Sequence, residues 1–312
     1  MMDYGAKIYI AGHTGMVGSA ILRKLTQLGY TNLVYQPRQK LDLCDKKAVE
    51  IFFREERPEY VFIAAAKVGG IYANMSYPAD FIYNNLMIQT NLIDASYRYQ
   101  VKKLLFLGSS CIYPRFTPQP MKEEYLLTGL LEPTNEPYAI AKIAGIKMCQ
   151  AYNRQYNTNF IAVMPTNLYG INDNFDLETA HVLPALIRKI HEAKVAGRPY
   201  VEIWGTGTPR REFLYVDDLA DACIFLMNHY NERDIINIGT GKDISIKELA
   251  DLLKTIIGFQ GEFQWDNSKP DGTPRKLLDV SKINRLGWKA KVSLEEGIRK
   301  TYQWYLEEGI HG

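Results

Sequence analysis

Apolar residues alternate between two spacings over the first half of the chain. Short unbroken runs at 7–11, 32–35, 60–63, 103–108 and 160–164 have the length and Val/Ile/Leu/Phe content of strands buried on both faces. Between them the period lengthens. Ala20, Ile21, Leu25 and Leu28 repeat on one face of a helix over 19–28, and helices are expected over 44–57, 78–99 and 138–156. Strands alternating with helices of this length make a parallel sheet with helical crossovers. After about residue 170 the alternation loosens. A loop to about 180 leads to a helix over 181–196, a strand at 200–204, a helix at 217–229 and a sheet strand at 235–239. Helices near 245–257 and 293–308 follow, separated by a polar run at 267–276. The expected fold class is α/β: a doubly wound parallel sheet built from 1–170 and rejoined by 214–240. The rest of 171–312 forms a smaller C-terminal α/β lobe for substrate.

Composition narrows the function classes. A chain of 312 residues with 46% hydrophobic residues can bury a large core. A formal net charge of +2 argues against a nucleic-acid partner. No apolar run approaches the roughly 20 residues that cross a bilayer, and a strand begins almost at once, where a signal peptide would sit. A cytoplasmic protein is expected. Cys44, Cys111, Cys149 and Cys223 are widely spaced, and the histidines His13, His191, His229 and His311 show no ligand spacing, so neither a disulfide framework nor a metal is expected. The sequon at Asn74 means nothing without secretion.

Candidate chemistry begins at the first turn. Gly12, Gly15 and Gly18 lie between the first strand and its helix, with Met16 and Val17 between the last two. That context suits a dinucleotide diphosphate, because glycines let the backbone approach and the helix N-terminus offers free N–H groups. The sheet is therefore expected to be Rossmann-type. The second strand ends in Gln36-Pro37-Arg38, with no acid before Asp42. Arg38 in place of a ribose-binding carboxylate points to NADP(H), and Leu41 could flank the adenine. Small residues at Ala64, Ala65 and Ala66 leave room for a ligand at the end of the third strand. Ser109 and Cys111 follow the strand at 103–108. Tyr138 and Lys142, four apart on a helix, share a face; the ammonium can lower a phenol pKa that is ordinarily about 10. Tyr138 is suited to give a proton to a carbonyl that accepts hydride, with Ser109 bonding the carbonyl oxygen.

This set resembles the extended short-chain dehydrogenase/reductase family along essentially the whole chain. The family's Arg-x-Phe-x-x-Val-x-Asp pattern is matched at Arg211, Phe213, Val216 and Asp217. The stretches at 64–71, 108–114, 132–142 and 269–276 narrow the resemblance to members acting on GDP-bound 4-keto-6-deoxy sugars. That resemblance implies epimerisation at C3 and C5, then reduction at C4. It assigns the extra acid and base to Cys111 and His181. It places His181, Asn167 and Leu168 beside the cofactor, and Arg211, Lys276, Lys189 and Trp204 at the GDP-sugar, with Arg210 a weaker candidate. It also implies a homodimer through the helices at 80–100 and 138–156. Two other readings remain. A dehydratase or sugar 4-epimerase would keep the Tyr-Lys pair, but a dehydratase wants carboxylates just after Ser109, where Ser110, Cys111 and Ile112 stand. A non-catalytic NADP(H)-binding protein would be expected to have lost Ser109, Tyr138 or Lys142.

Overall fold

In chain order the first half of the molecule runs β1 (Ile8–Ala11), α1 (Met16–Gln27), β2 (Leu33–Val34), α2 (Lys46–Glu56), β3 (Tyr60–Ile63), α3 (Ile71–Ser76), α4 (Pro78–Arg98), β4 (Lys103–Leu107), α5 (Glu136–Tyr156) and β5 (Phe160–Pro165). The second half runs β6 (Asn167–Tyr169), α6 (Val182–Val195), β7 (Tyr200–Trp204), β8 (Arg210–Tyr215), α7 (Val216–His229), β9 (Ile236–Ile238), β10 (Asp243–Ser245), α8 (Ile246–Ile257), β11 (Glu262–Asp266), β12 (Arg275–Lys276), α9 (Ser281–Arg285) and α10 (Leu294–Glu307). The computed structural model describes residues 1–269 and 271–308. Pro270 of the polar run, and residues 309–312 with His311, lie outside the described residues.

Six strands form one parallel sheet in the order β2–β1–β3–β4–β5–β9. Ile8, Ile10, Phe62, Phe106 and Val163 have no exposed surface, as strands covered on both faces require. α1 packs against α7, while α4 packs against α2 and α5. The chain order reverses between β1 and β3, so a crevice opens there at the carboxyl ends of the strands. This is the doubly wound Rossmann-type sheet expected from the sequence.

Helix ends follow their caps. The Asp45 carboxylate accepts from the amides of Lys47 (2.9 Å) and Ala48 (3.1 Å), so α2 starts after Asp45 rather than at the expected residue 44. Ser245 and Glu248 cap α8 reciprocally, and Gly258 ends it at φ 76°.

The second lobe centres on β8, which pairs antiparallel with β10 and parallel with β12 and β6. β7 and β11 form a separate parallel pair. Leu183, Ile187, Leu249, Leu253 and Ile298, from α6, α8 and α10, bury against these strands. The chain returns to the sheet twice. α7 and β9 are the first return. In the second, Leu278, Val280, Ile283 and Trp288 join the sheet's own core, a return the sequence reading did not include.

Two segments are more ordered than their sequence suggests. The glycine-containing residues 68–71 are pinned: the Gly70 amide donates to the Thr179 carbonyl at 2.8 Å, and α3 follows directly. The long connection over 115–135 is held where the Met121 amide donates to the Leu277 carbonyl (2.7 Å) and the Asp279 amide donates back to the Met121 carbonyl (2.8 Å). Among the described residues no helix is long and apolar enough to cross a membrane.

Candidate active site

The glycine turn brings three backbones together. Gly12 sits at φ 89°, and a Cβ there would lie 2.7 Å from the Ala65 backbone; a Cβ on Gly18 would lie 2.1 Å from the Gly12 carbonyl oxygen. Gly15 precedes α1 without a side-chain cap, leaving first-turn N–H groups at the crevice wall. His13 Nδ1 is buried without a partner, its ring 4.7 Å from that of Tyr35. Arg38 is exposed at the same wall and makes no ion pair among the described residues. Close backbone approach, free amides, an orphaned imidazole nitrogen and an unpaired guanidinium together fit a dinucleotide with an extra phosphate. Met16, Val17, Leu41, Ala65 and Leu168 line the same wall, and Asn167 is fixed by donating to the Glu212 carbonyl at 2.7 Å.

Deeper in the crevice stand the groups suited to chemistry. β4 ends at Leu107, and Ser109 accepts the Cys111 amide at 3.2 Å. Tyr138 lies in the first turn of α5, with Lys142 one turn on. The Lys142 ammonium is 5.8 Å from the Tyr138 ring centroid and donates to the Leu107 carbonyl at 2.8 Å. Burial lowers Lys142 to about 8. The expected lowering of Tyr138 by Lys142 is not what the protein alone produces. Burial dominates and raises the phenol, the Cys111 sulfur adds to this, and only the Ser109 hydroxyl pulls the other way. Tyr138 is thus held as a neutral phenol, the form that can donate a proton.

Cys111 faces two donors: the Asn135 side-chain amide at 3.3 Å and the Lys276 ammonium at 3.7 Å. His181 occupies the N-cap position of α6 without capping it. Its side chain is exposed where it lines the crevice, with protein packed around it on the other sides. Burial, then the charge of Lys276, hold it below the usual imidazole value. Gly70 places this loop, since a Cβ there would lie 2.5 Å from the Ala180 carbonyl oxygen.

Lys276 on β12 pairs in register with Arg211 on β8. Arg211 donates to the carbonyls of Arg210 (2.8 Å) and Asp271 (3.3 Å), and burial lowers its pKa. Trp204 is 49% exposed, so it is no core residue; the ammonium groups of Lys189 and Lys269 sit 5.6 and 5.3 Å from its ring. Arg210 does not reach the crevice. Strand alternation turns it away, to Asp243 at 3.0 Å and Glu248 at 3.2 Å. Asp217 is structural here, pairing with Arg23 at 2.7 Å to tie α7 to α1.

Ser109, Cys111, Tyr138, Lys142 and His181 therefore share one crevice of about 1330 Å³ with Gly12, Arg38, Arg211, Lys276, Lys189 and Trp204. Sequence reasoning missed Asn135 and Asp173 on its wall. Asn135 opens the same motif as Tyr138 and so carried a signal. Asp173 carried none, because its weight comes from burial that pushes its carboxyl up to about 7.

A nucleotide crevice with a buried Tyr-Lys pair defines a nicotinamide-dependent sugar-nucleotide fold. The chain belongs to the NAD dependent epimerase/dehydratase family, whose model matches residues 8–239. It is 61% identical to GDP-L-fucose synthase 1 of Arabidopsis thaliana over 307 residues, covering 98% of this chain and 95% of that protein. It is 56% identical to GDP-L-fucose synthase of Escherichia coli K12 over 310 residues, covering 96% and 97%. Among solved structures, an NADP-bound GDP-L-fucose synthetase from Naegleria fowleri superimposes with TM-score 0.93 at 29% identity, covering 100% of this chain and 97% of that one.

Proposed function

We propose that the protein converts GDP-4-keto-6-deoxy-D-mannose to GDP-L-fucose, using NADPH. It would epimerise C3 and C5 through enolates and then reduce the C4 ketone. The observation that carries this reading is Cys111 beside Lys276 and Asn135, in the same crevice as Tyr138 and His181. A plain reductase needs the tyrosine but not the thiol. The identity to two GDP-L-fucose synthases over nearly the full chain supports the same reading.

The roles follow from chemistry. A C4 ketone acidifies the hydrogens on C3 and C5. Cys111 and His181 exchange protons at those carbons, one as base and the other as acid. The Ser109 hydroxyl bonds the carbonyl oxygen. Neutral Tyr138 gives that oxygen a proton as C4 is reduced. Bound NADPH supplies the hydride. The amides of the α1 N-terminus, Arg38, Ala65, Asn167 and Leu168 hold the cofactor, with Lys142 and His181 against it. Arg211 and Lys276 hold the diphosphate of the GDP-sugar, which also offsets the charge that depresses His181. Lys189 and Trp204 line the nucleotide end.

NADPH loss at 340 nm, with chromatography of the product, tests this. Stoichiometric loss with GDP-L-fucose formed is the expected result. Loss that yields an unepimerised GDP-6-deoxyhexose would leave a plain 4-reductase and remove Cys111 and His181 from the catalytic set. We also infer a cytoplasmic homodimer. Tyr83 on α4 and Ile140 on α5 present exposed apolar surface on two helices that pack together. A light-scattering mass of a single chain would overturn the dimer.

A further inference from the structure

Asn135 stands at the N-cap of α5, three residues before Tyr138. Asparagine there ordinarily accepts an amide of the first turn, which stabilises the helix. Asn135 makes no such cap. Its side chain turns into the crevice, where Nδ2 donates to Cys111 Sγ at 3.3 Å. Its Oδ1 is buried and has no partner. A forgone cap, a bond to sulfur and an orphaned acceptor are three separate observations on one side chain, and no helix or loop contact accounts for them. A buried acceptor without a donor is costly unless a ligand supplies one.

We propose that Asn135 is a positioning residue for Cys111, and that its Oδ1 accepts a hydroxyl of the bound sugar. A sulfur that carries negative charge accepts an N–H bond more strongly than a neutral thiol does. When the thiolate takes a proton from the carbon beside the ketone, that bond weakens. His181 then protonates the carbon from its other face, and the bond strengthens again once Cys111 has released its proton to solvent. Nδ2 thus aims the sulfur at the sugar carbon, while Oδ1 fixes the ring that carries it. Since Asn135 and Tyr138 share one helical turn, the base and the proton donor at C4 are placed by the same rigid element. The catalytic consequence rests on the epimerase reading above; the contact with Cys111 does not.

Two variants separate the halves of the amide. Asn135→Asp keeps the size and an acceptor oxygen, loses the N–H and sets a negative charge beside the sulfur. Asn135→Ala loses both groups. The first measurement uses no substrate: the rate at which iodoacetamide modifies Cys111 at pH 7.5, read by peptide mass spectrometry to separate it from the half-exposed Cys44. Asn135→Asp is expected to slow this roughly tenfold, and more than Asn135→Ala does. The second measurement supplies NADPH and GDP-4-keto-6-deoxy-D-mannose. Both variants are expected to raise the share of reduced but unepimerised product, and Asn135→Ala alone to raise KM. Unchanged alkylation in both variants would overturn the inference, and so would a parallel fall of both products at a constant ratio. If the unsubstituted protein makes only unepimerised product while its Asn135 variants alkylate slowly, the function reading fails and the contact stands.

Discussion

At the scale of single residues, the proposed cofactor preference is tested at Arg38. It is exposed at the crevice and unpaired among the described residues, so removing it frees no buried partner. Arg38→Ala is expected to weaken NADPH by roughly tenfold or more while NADH changes little. Equal losses, measured by fluorescence titration, would refute a 2′-phosphate contact. Asp173 gives a prediction in pH. Its folded value of about 7 lies above the ordinary 3.8, so between these values the folded state binds a proton that the unfolded state has released. Stability therefore falls as pH rises through that window and levels off above it. Asp173→Asn should flatten the decline in melting temperature between pH 4 and 7 in the cofactor-free protein. Above pH 7 it should melt roughly 2–4 °C higher for each kcal/mol regained. An unaltered slope would assign the decline to other groups. Ser109, Cys111, Tyr138 and Lys142 were readable as candidates because they sit in long motifs at the ends of a strand and a helix, and the fold brings them into one crevice. Asp173 and the neutral state of Tyr138 were not, because burial is a property of the fold and no spacing announces it.

At the scale of elements, the βα units of the first half were readable because each strand is apolar on both faces and each helix on one. The second lobe was not. β6 has three residues and β12 has two, too few for a period to show. β8 begins Arg210-Arg211-Glu212, a run of charges that reads as surface. It is a strand because Arg211 faces the crevice, while Glu212 lies buried in the core with backbone amides satisfying its carboxylate. The register that sets Lys276 opposite Arg211 puts like charges side by side, an arrangement that disfavours pairing until an anion lies between them. The turn between β1 and α1 is the element most sensitive to bulk. Gly18→Ala would set a Cβ 2.1 Å from backbone oxygen that has no rotamer to yield. It should cost about 1–3 kcal/mol in stability and sharply weaken NADPH. Gly29→Ala is the control: a Cβ there meets nothing within 4 Å, so strain at φ 89° is its whole penalty and cofactor affinity should hold. Equal effects of the two on NADPH would remove the turn from the cofactor site.

At the scale of the whole molecule, the sheet brings Gly12, Ser109, Tyr138 and Lys142 to the crevice, and the second lobe brings His181, Arg211 and Lys276. Neither holds the complete set. α7 and β9 were legible as elements because they have the same patterning as the first half. The second return, at 278–288, was hidden because its few apolar positions follow a polar stretch. Both returns converge on Glu212. Its fully buried carboxylate accepts the amides of Thr240 (2.6 Å) and Gly241 (2.7 Å) beyond β9, and of Leu278 (2.9 Å) beyond β12. Thr240 and Gly241 share Oε1 and Leu278 takes Oε2, so movement of this one carboxylate exposes all three amides. In deuterium, Thr240, Gly241 and Leu278 should therefore exchange as a single slow class, though they belong to separate segments, and Glu212→Ala should release all three together. Such a joint clock would mean that the strand carrying Lys276 and the edge of the parallel sheet come loose only in the same event.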